Sequence, residues 1–333
     1  MRRKGREKIN RNNGKLQRTL FVISIFLLII ILSSCTAILS TSNSVGSSFS
    51  ALFSSPLKIE NKITDPVRDD ARLAVLWVGH ATLLIQIDDK FILTDPVFTE
   101  TIAFISKRLI EPGIEPENLP DIDVTLISHL HADHLSFGSL DMIESKVKEL
   151  LVPQEGLVYI PNYDFESNEL KTWHTWEKDG LKITSIPVLH NGMRYGIDSG
   201  WLDKSYTGYV IQYKGITVYF GGDTGYEPGT TIFKETGKRF PDIELAILPI
   251  APIHPREYSK GRHTDPSDAV KIMRELSAKK MMPMHFDTFA ESYDTLGEAE
   301  STMRAVMKRE NLTEDEIILF NIGEQKVIIP NNN

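Results

Sequence analysis

The chain has 333 residues, 41% hydrophobic and 25% charged, the make-up of a globular protein with a sizeable core and not of a disordered, collagen-like or coiled-coil one. Its single cysteine excludes an intramolecular disulfide and any zinc site built from several thiolates, so a metal would be held by histidines and carboxylates. The net charge of -8 hides a divide: eight basic residues and one acid lie before residue 35, against 29 basic and 44 acidic residues after it. So acidic a body repels phosphate backbones, which argues against nucleic acid as a partner but not against a phosphate held locally by metal.

The apolar run Leu20 to Leu32, broken only by Ser24, is short of the roughly 20 residues of a membrane span and suits the core of a signal peptide. It ends on Leu32-Ser33-Ser34-Cys35, which resembles the bacterial lipobox, whose cysteine is lipidated and becomes the first mature residue. The other reading is an uncleaved helix from Leu20 to about Leu39. Both make residues 1–35 a signal or anchor, with Cys35 the lipid-attachment candidate, and put the body at a membrane on its extracytoplasmic side. Residues 36–56 are Ser-rich and read as a tether. Residues 57–333 read as one catalytic domain, and a homodimer is left open.

Within the body, Leu73 to Trp77, Leu83 to Ile87 and Phe91 to Asp95 read as strands of a meander, and Val124 to Ser128 as a further strand followed by a helix from Ser139 to Leu150. The segment Ile102 to Ile110 surrounds Lys107-Arg108 with apolar residues; it suits either a surface that dips into a bilayer or a helix covering the sheet. Strands are expected at Lys182 to Pro187, Thr207 to Tyr213, Ile216 to Phe220, Leu245 to Ile250 and Lys280 to Met284, and near Ile317 and Val327. Helices are expected from Pro266 to Ser277, capped by Asp265, and from Leu296 to Lys308. Every candidate ligand then falls just past a strand end.

His129-Leu130-His131-Ala132-Asp133-His134 packs four ligand-type side chains into six residues. In an extended loop His129 and His131 project to one side, leaving Asp133 and His134 free to aim at a second point, an arrangement suited to two neighbouring metals. His190, Asp223 and His285 are available at other strand ends to complete such a site.

The H-x-H-x-D-H cluster, a later His, an Asp after a strand and a C-terminal His resemble the pattern of the metallo-β-lactamase superfamily. The surrounding motifs Trp77-Val78-Gly79-His80-Ala81-Thr82, Leu93-Thr94-Asp95-Pro96-Val97-Phe98, Gly222-Asp223-Thr224-Gly225-Tyr226, His263-Thr264-Asp265-Pro266 and His285-Phe286-Asp287-Thr288-Phe289 are similar to its N-acyl-phosphatidylethanolamine phospholipase D branch and bacterial relatives. The resemblance spans about Leu73 to Phe289. It implies an α/β fold, a four-layer αββα sandwich with the site at one edge of two sheets. It also implies two Zn(II) ions, other divalent metals being open, one on His129, His131 and His190, the other on Asp133, His134 and His285, with Asp223 bridging. Two departures bear on substrate: Thr101 to Pro116 keeps only Lys107-Arg108 of the family's usual loop, and Ile250 to Arg256 lacks its usual aromatic residue.

Metal-activated water would then be the nucleophile, with no Ser or Cys required. Asp133 and His263 are the candidates for a direct catalytic part, His263 through the phosphate or leaving group or else as a structural cap beside Asp265. Asp95 is a candidate acceptor for a ligating imidazole N–H, His80 a further supporting residue, and Arg256 a candidate phosphate contact. The leading expectation is a zinc phosphodiesterase of phospholipase D type acting on N-acyl-phosphatidylethanolamine-like membrane lipids. The alternatives are a lactonase or other ester hydrolase, and a non-catalytic metal-binding surface protein.

Overall fold

The computed structural model describes residues 55–331 apart from 103–105, 196–197, 199–200 and 291. The expectations for residues 1–35, including Cys35, fall outside the described residues, as does almost all of the Ser-rich stretch. Among the described residues no helix is long and apolar enough to cross a membrane.

Two sheets carry the fold. The first is built from β1 (Ala71–Gly79), β2 (Thr82–Ile87), β3 (Lys90–Thr94), β6 (Val124–Leu126), β7 (Glu149–Pro153), β8 (Glu166–Leu170) and β15 (Gln325–Pro330), in the order β15-β1-β2-β3-β6-β7-β8. The second contains β9 (Thr175–Lys178), β10 (Leu181–Ile186), β11 (Gly208–Tyr213), β12 (Ile216–Phe220), β13 (Leu245–Pro249) and β14 (Lys280–Met284), in the order β14-β13-β12-β11-β10-β9. A small hairpin, β4 (Thr101–Ile102) with β5 (Ser106–Lys107), stands apart. The helices are α1 (Phe137–Ile143), α2 (Ile232–Arg239), α3 (Arg256–Ser259), α4 (Pro266–Leu276) and α5 (Glu298–Glu310).

The first sheet is apolar on both faces, which is why β1 and β2 read as nearly continuous hydrophobic runs. Alternate side chains go to different cores: Leu73, Val75, Trp77, Leu83 and Ile85 join the cluster shared with the second sheet, whereas Leu76, Val78 and Leu84 join one with Leu140 and Ile143 of α1. The second sheet is covered in turn by Ile272, Met273 and Leu276 of α4 and by Met303 and Val306 of α5. The layers are therefore helix, sheet, sheet, helix, the αββα sandwich of the metallo-β-lactamase fold.

Strand direction gathers the ligands. β3 and β6 run parallel, β1 shares their direction because β2 is antiparallel to both β1 and β3, and β12, β13 and β14 are mutually parallel. Their C-terminal ends lie along one edge, where ligand sites of open sheets form. His80, Asp95 and His285 each follow directly on a strand there, and all three take positive φ, at 54°, 33° and 65°. Side chains rarely adopt that backbone conformation unless the surrounding structure holds it, as at functional sites.

Three local expectations need correction. The helix expected from Ser139 to Leu150 stops at Ile143, passes through a 3-10 turn and gives way to β7, whose five residues are all buried between neighbouring strands. Among the described residues of the segment Ile102 to Ile110 the helix is not found: Ile102 and Ser106–Lys107 are strand residues of β4 and β5, and Arg108 is 1% exposed, donating to the carbonyls of Val97 and Thr99 and lying over Phe289. Ile317 makes only an isolated bridge to Met281 and not a strand.

Candidate metal centre

Ligands 2.0 to 2.2 Å from one ion at tetrahedral angles stand about 3.4 Å from each other. Two sets of side chains approach that spacing. In one, His129 Nε2 is 2.9 Å from His131 Nδ1, which is 3.4 Å from His190 Nε2. In the other, His134 Nε2 is 3.2 Å from both His285 Nε2 and Asp133 Oδ2, and Asp133 Oδ2 is 3.6 Å from His285 Nε2. Asp223 stands between them: its Oδ2 is 4.0 Å from His129 and 3.9 Å from His190, while the same oxygen is 3.4 Å from His134 and its Oδ1 3.1 Å from His285.

The donor chemistry fits metal. Both carboxylate oxygens of Asp223 and Nδ1 of His263 are buried without a hydrogen-bond partner, an arrangement that costs energy unless something supplies the missing contacts. Burial holds His129 and His190 well below the ordinary imidazole pKa, and His131 below it, so each presents a lone pair, the form that ligates. For Asp223, burial alone would favour the neutral acid, but His285, His134 and His263 outweigh it and hold the pKa well below the usual carboxylate range. Asp133 is likewise pulled down, against its burial, chiefly by His134. In turn Asp223 and its neighbours overcome burial to raise His134 well above, and His285 to about 10.

A supporting layer orients these ligands. Asp95, buried, accepts from Ser128 N at 2.7 Å and Ser128 Oγ at 2.6 Å and lies 2.7 Å from His134 Nδ1. An acceptor so fixed places the proton on Nδ1 and turns the Nε2 lone pair into the site. Asp95→Asn removes that acceptor and is expected to weaken metal binding 10- to 100-fold with the fold retained, as measured by competition with a chromophoric chelator. His190 is set the same way, its Nδ1 lying 2.9 Å from the Arg262 carbonyl. His80 Nε2 is 3.0 Å from Asp133 Oδ2, and the His80 backbone is pinned by Thr288 Oγ1 at 2.6 Å and by Trp77 Nε1, which donates to its carbonyl. Gly222 has φ 54°, and a Cβ there would lie 2.4 Å from Ser128 Cβ, so only glycine lets the Asp223 turn approach the Asp95–Ser128 pair.

His263 does not act as the cap of α4; Asp265 does, accepting from Asp268 N at 2.9 Å. The His263 ring instead faces the centre, Nδ1 3.4 Å from Asp223 Oδ2, its side chain 22% exposed. Arg256 is committed to protein: Nη1 donates to the His263 carbonyl at 2.7 Å, Nε lies 3.2 Å from Asp265, and Nη2 bonds Asp268. It thereby steadies His263. Beside it runs an open groove of about 830 Å³ lined by residues including Tyr226, Tyr258 and Arg262. The sequence reading placed Ser128 at a strand end and Thr288 in a motif but gave neither a role, since a hydroxyl in a strand-end loop carries no ligand signature of its own.

A family model described as "Beta-lactamase superfamily domain" matches residues 90–286, more than half of the chain. Among curated relatives, the N-acyl-phosphatidylethanolamine-hydrolyzing phospholipase D 1 of Caenorhabditis elegans is 27% identical, covering 81% of this chain and 80% of that one. A metal-dependent hydrolase of Thermococcus onnurineus is 30% identical, covering 65% and 85%. Among solved structures, a metallo hydrolase of the archaeon Ignicoccus hospitalis superimposes with a TM-score of 0.56 at 19% identity, over 76% of this chain and 97% of that one. With its sandwich fold, its His/Asp cluster able to bind metal and this match, the chain belongs to the β-lactamase superfamily domain family and is a metal-dependent hydrolase of the metallo-β-lactamase superfamily.

Proposed function

We propose that the protein is a binuclear zinc phosphodiesterase that cleaves N-acyl-phosphatidylethanolamine-like membrane lipids in phospholipase D fashion. The observation that carries the two-metal reading is the single carboxylate, Asp223, standing between a three-imidazole set and an Asp133–His134–His285 set. The phosphodiester reading is supported by the likeness to the C. elegans phospholipase. When bound, two divalent ions supply Lewis acidity toward phosphoryl oxygens and water acidic enough to attack near neutral pH.

The chain's own residues then do the positioning. His129, His131 and His190 are neutral donors on one side, and Asp95 and His80 hold His134 and Asp133 on the other. Asp133, 17% exposed at its side chain, lies at the solvent-facing side of its set. His263, with its pKa brought down to about 4 by burial, is neutral at physiological pH; held by Arg256 at the mouth, it orients a phosphoryl or leaving oxygen by hydrogen bonding and adds no charge. The groove beside Tyr226, Tyr258 and Arg262 receives the organic part of the substrate. Attachment through Cys35 or an apolar N-terminal helix would keep the body at a membrane, where such lipids lie.

The test is a hydrolysis panel with the full chain in detergent, loaded with zinc: a phosphodiester reporter, an N-acylated phosphatidylethanolamine and an acyl lactone. Turnover of both phosphodiesters, with phosphatidic acid as the lipid product, is the expected result. Lactone turnover alone would retain the metal centre and discard the substrate.

A further inference from the structure

The loop that carries four of the ligands has no regular structure to hold it. Residues 129–134 pass from a single bridge through turns into α1, and three carbonyls around them, those of Leu130, His131 and Leu135, converge on one guanidinium nitrogen. Arg194 Nη1 lies 3.1 Å from the Leu130 oxygen and 3.4 Å from that of His131, and it bonds the Leu135 oxygen. The His131 carbonyl also accepts from His134 N and Leu135 N, so the same peptide that ties off the turn is the one the cation meets.

The guanidinium is itself located. Its carbon stands 4.6 Å over the Phe137 ring, at the start of α1. The backbone N–H of Arg194 donates at 2.9 Å to Oδ2 of Asp198, a carboxylate 1% exposed that also accepts from Tyr195 N and from the Tyr159 hydroxyl at 2.8 Å. Those donors, against the opposing effect of burial, lower the Asp198 pKa. Arg194 is also only four residues from His190, whose Nε2 faces His131 Nδ1 at 3.4 Å. One short stretch, residues 190–194, thus carries a candidate ligand of the three-imidazole set at one end and a clamp on the two other imidazoles' loop at the other.

We propose that Arg194 is a positioning residue: by gathering the carbonyls of Leu130, His131 and Leu135 it fixes His129 and His131 against His190 and makes the three-imidazole set a preformed metal site. The inference rests on the two-metal reading above. The guanidinium lies over the Phe137 ring by its carbon while Nη1 reaches the carbonyls, two places that the single nitrogen of a lysine ammonium cannot occupy together. Supporting contacts that orient ligands typically govern metal affinity by 10- to 100-fold.

The experiment is a titration of the metal-stripped full chain with Co(II), followed by its absorption bands, with chelator competition to rank the two binding steps. His190→Ala identifies the step that belongs to the three-imidazole set. Arg194→Met is expected to weaken that step about 10- to 100-fold and displace its Co(II) bands, while the other step shifts less than about threefold and the melting temperature of the metal-free protein is unchanged. Arg194→Lys recovers part of the affinity, and Phe137→Leu, which removes the stacking and keeps an apolar side chain against the core, produces a smaller loss in the same step. A fall in both steps together with a lower metal-free melting temperature would make Arg194 a general structural residue and overturn the proposal, as would unchanged affinity. If the wild type takes up a single ion, the two-metal reading fails; the clamp then stands only if Arg194→Met still weakens that ion.

Discussion

Asp223→Ala is expected to lower turnover at least about 1,000-fold, since metal stabilisation of transition-state charge amounts to several kcal/mol and each 1.36 kcal/mol is a factor of ten. The reason lies in the geometry. The carboxylate has imidazole nitrogens of both sets within 3.1 to 4.0 Å. On the two-metal proposal its removal withdraws one ligand from each ion, so bound metal should fall from two equivalents to one or fewer, measured by elemental analysis alongside kcat. The variant also takes away the ion-pair partner of His134 and His285, so the metal-free melting temperature is measured beside kcat to separate loss of metal from loss of fold. A variant that keeps two ions or near-normal turnover would remove Asp223 from its shared role.

The second large effect is on stability, in the metal-free protein. Burial holds His80 at about 3 and His263 at about 4, and keeps His129, His131 and His190 below the ordinary 6.5. Below pH 6.5 the unfolded chain therefore binds protons that the native one refuses. These five groups contribute stability that is fully present above pH 6.5 and is lost as pH falls toward their native values. The lowered Asp133 and Asp223 add a loss of the same sign below the usual carboxylate range. His134 and His285 act oppositely: their contribution is complete below pH 6.5 and fades as pH climbs, for His285 through about 10.

One imidazole held neutral gives up about 2 kcal/mol between pH 6.5 and 5, which is about 4 °C or more in melting temperature for a domain of this size. Several acting together should lower the melting temperature by about 10 °C or more across that interval. Metal competes for the same lone pairs and should push the loss to lower pH, and loading at pH 8 should release the proton that His285 holds up to about 10. Melting scans from pH 5 to 8, with and without chelator, test this; a flat metal-free profile would contradict it.

The legible and illegible parts of the sequence divide along physical lines. The strands that deliver ligands were readable because each combines an apolar run with a polar motif at its end, as in Val124 to Ser128 before His129 and Lys280 to Met284 before His285. β7 was not, because a short apolar run such as Glu149–Pro153 has the same pattern whether it ends a helix or forms a strand buried on both faces. β8 and β9, with exposed and polar residues, lie at the outer ends of their sheets, where little core is needed to hold them. α2 buries only Phe233 and Thr236 and offers no long periodic stripe. Among site residues, spacing marked His129 to His134 at once, whereas Arg256 looked free because nothing local in sequence announces its partners Asp265 and Asp268. The burial of Arg108 has no sequence signature either, since its acceptors are carbonyls, which every residue possesses.

The ligand set draws on separate stretches of chain, residues 129–134, 190, 223 and 285, hung from strand ends in both sheets. A nascent chain cannot bring these groups together until the second sheet has docked on the first, and closing loops of this length is what makes such topologies slow to assemble. Ion capture is therefore a late event on the folding route. Once made, it acts as a rivet across the two halves: free metal shifts the folding equilibrium by mass action, so the ion concentration around the protein helps set its lifetime as well as its activity.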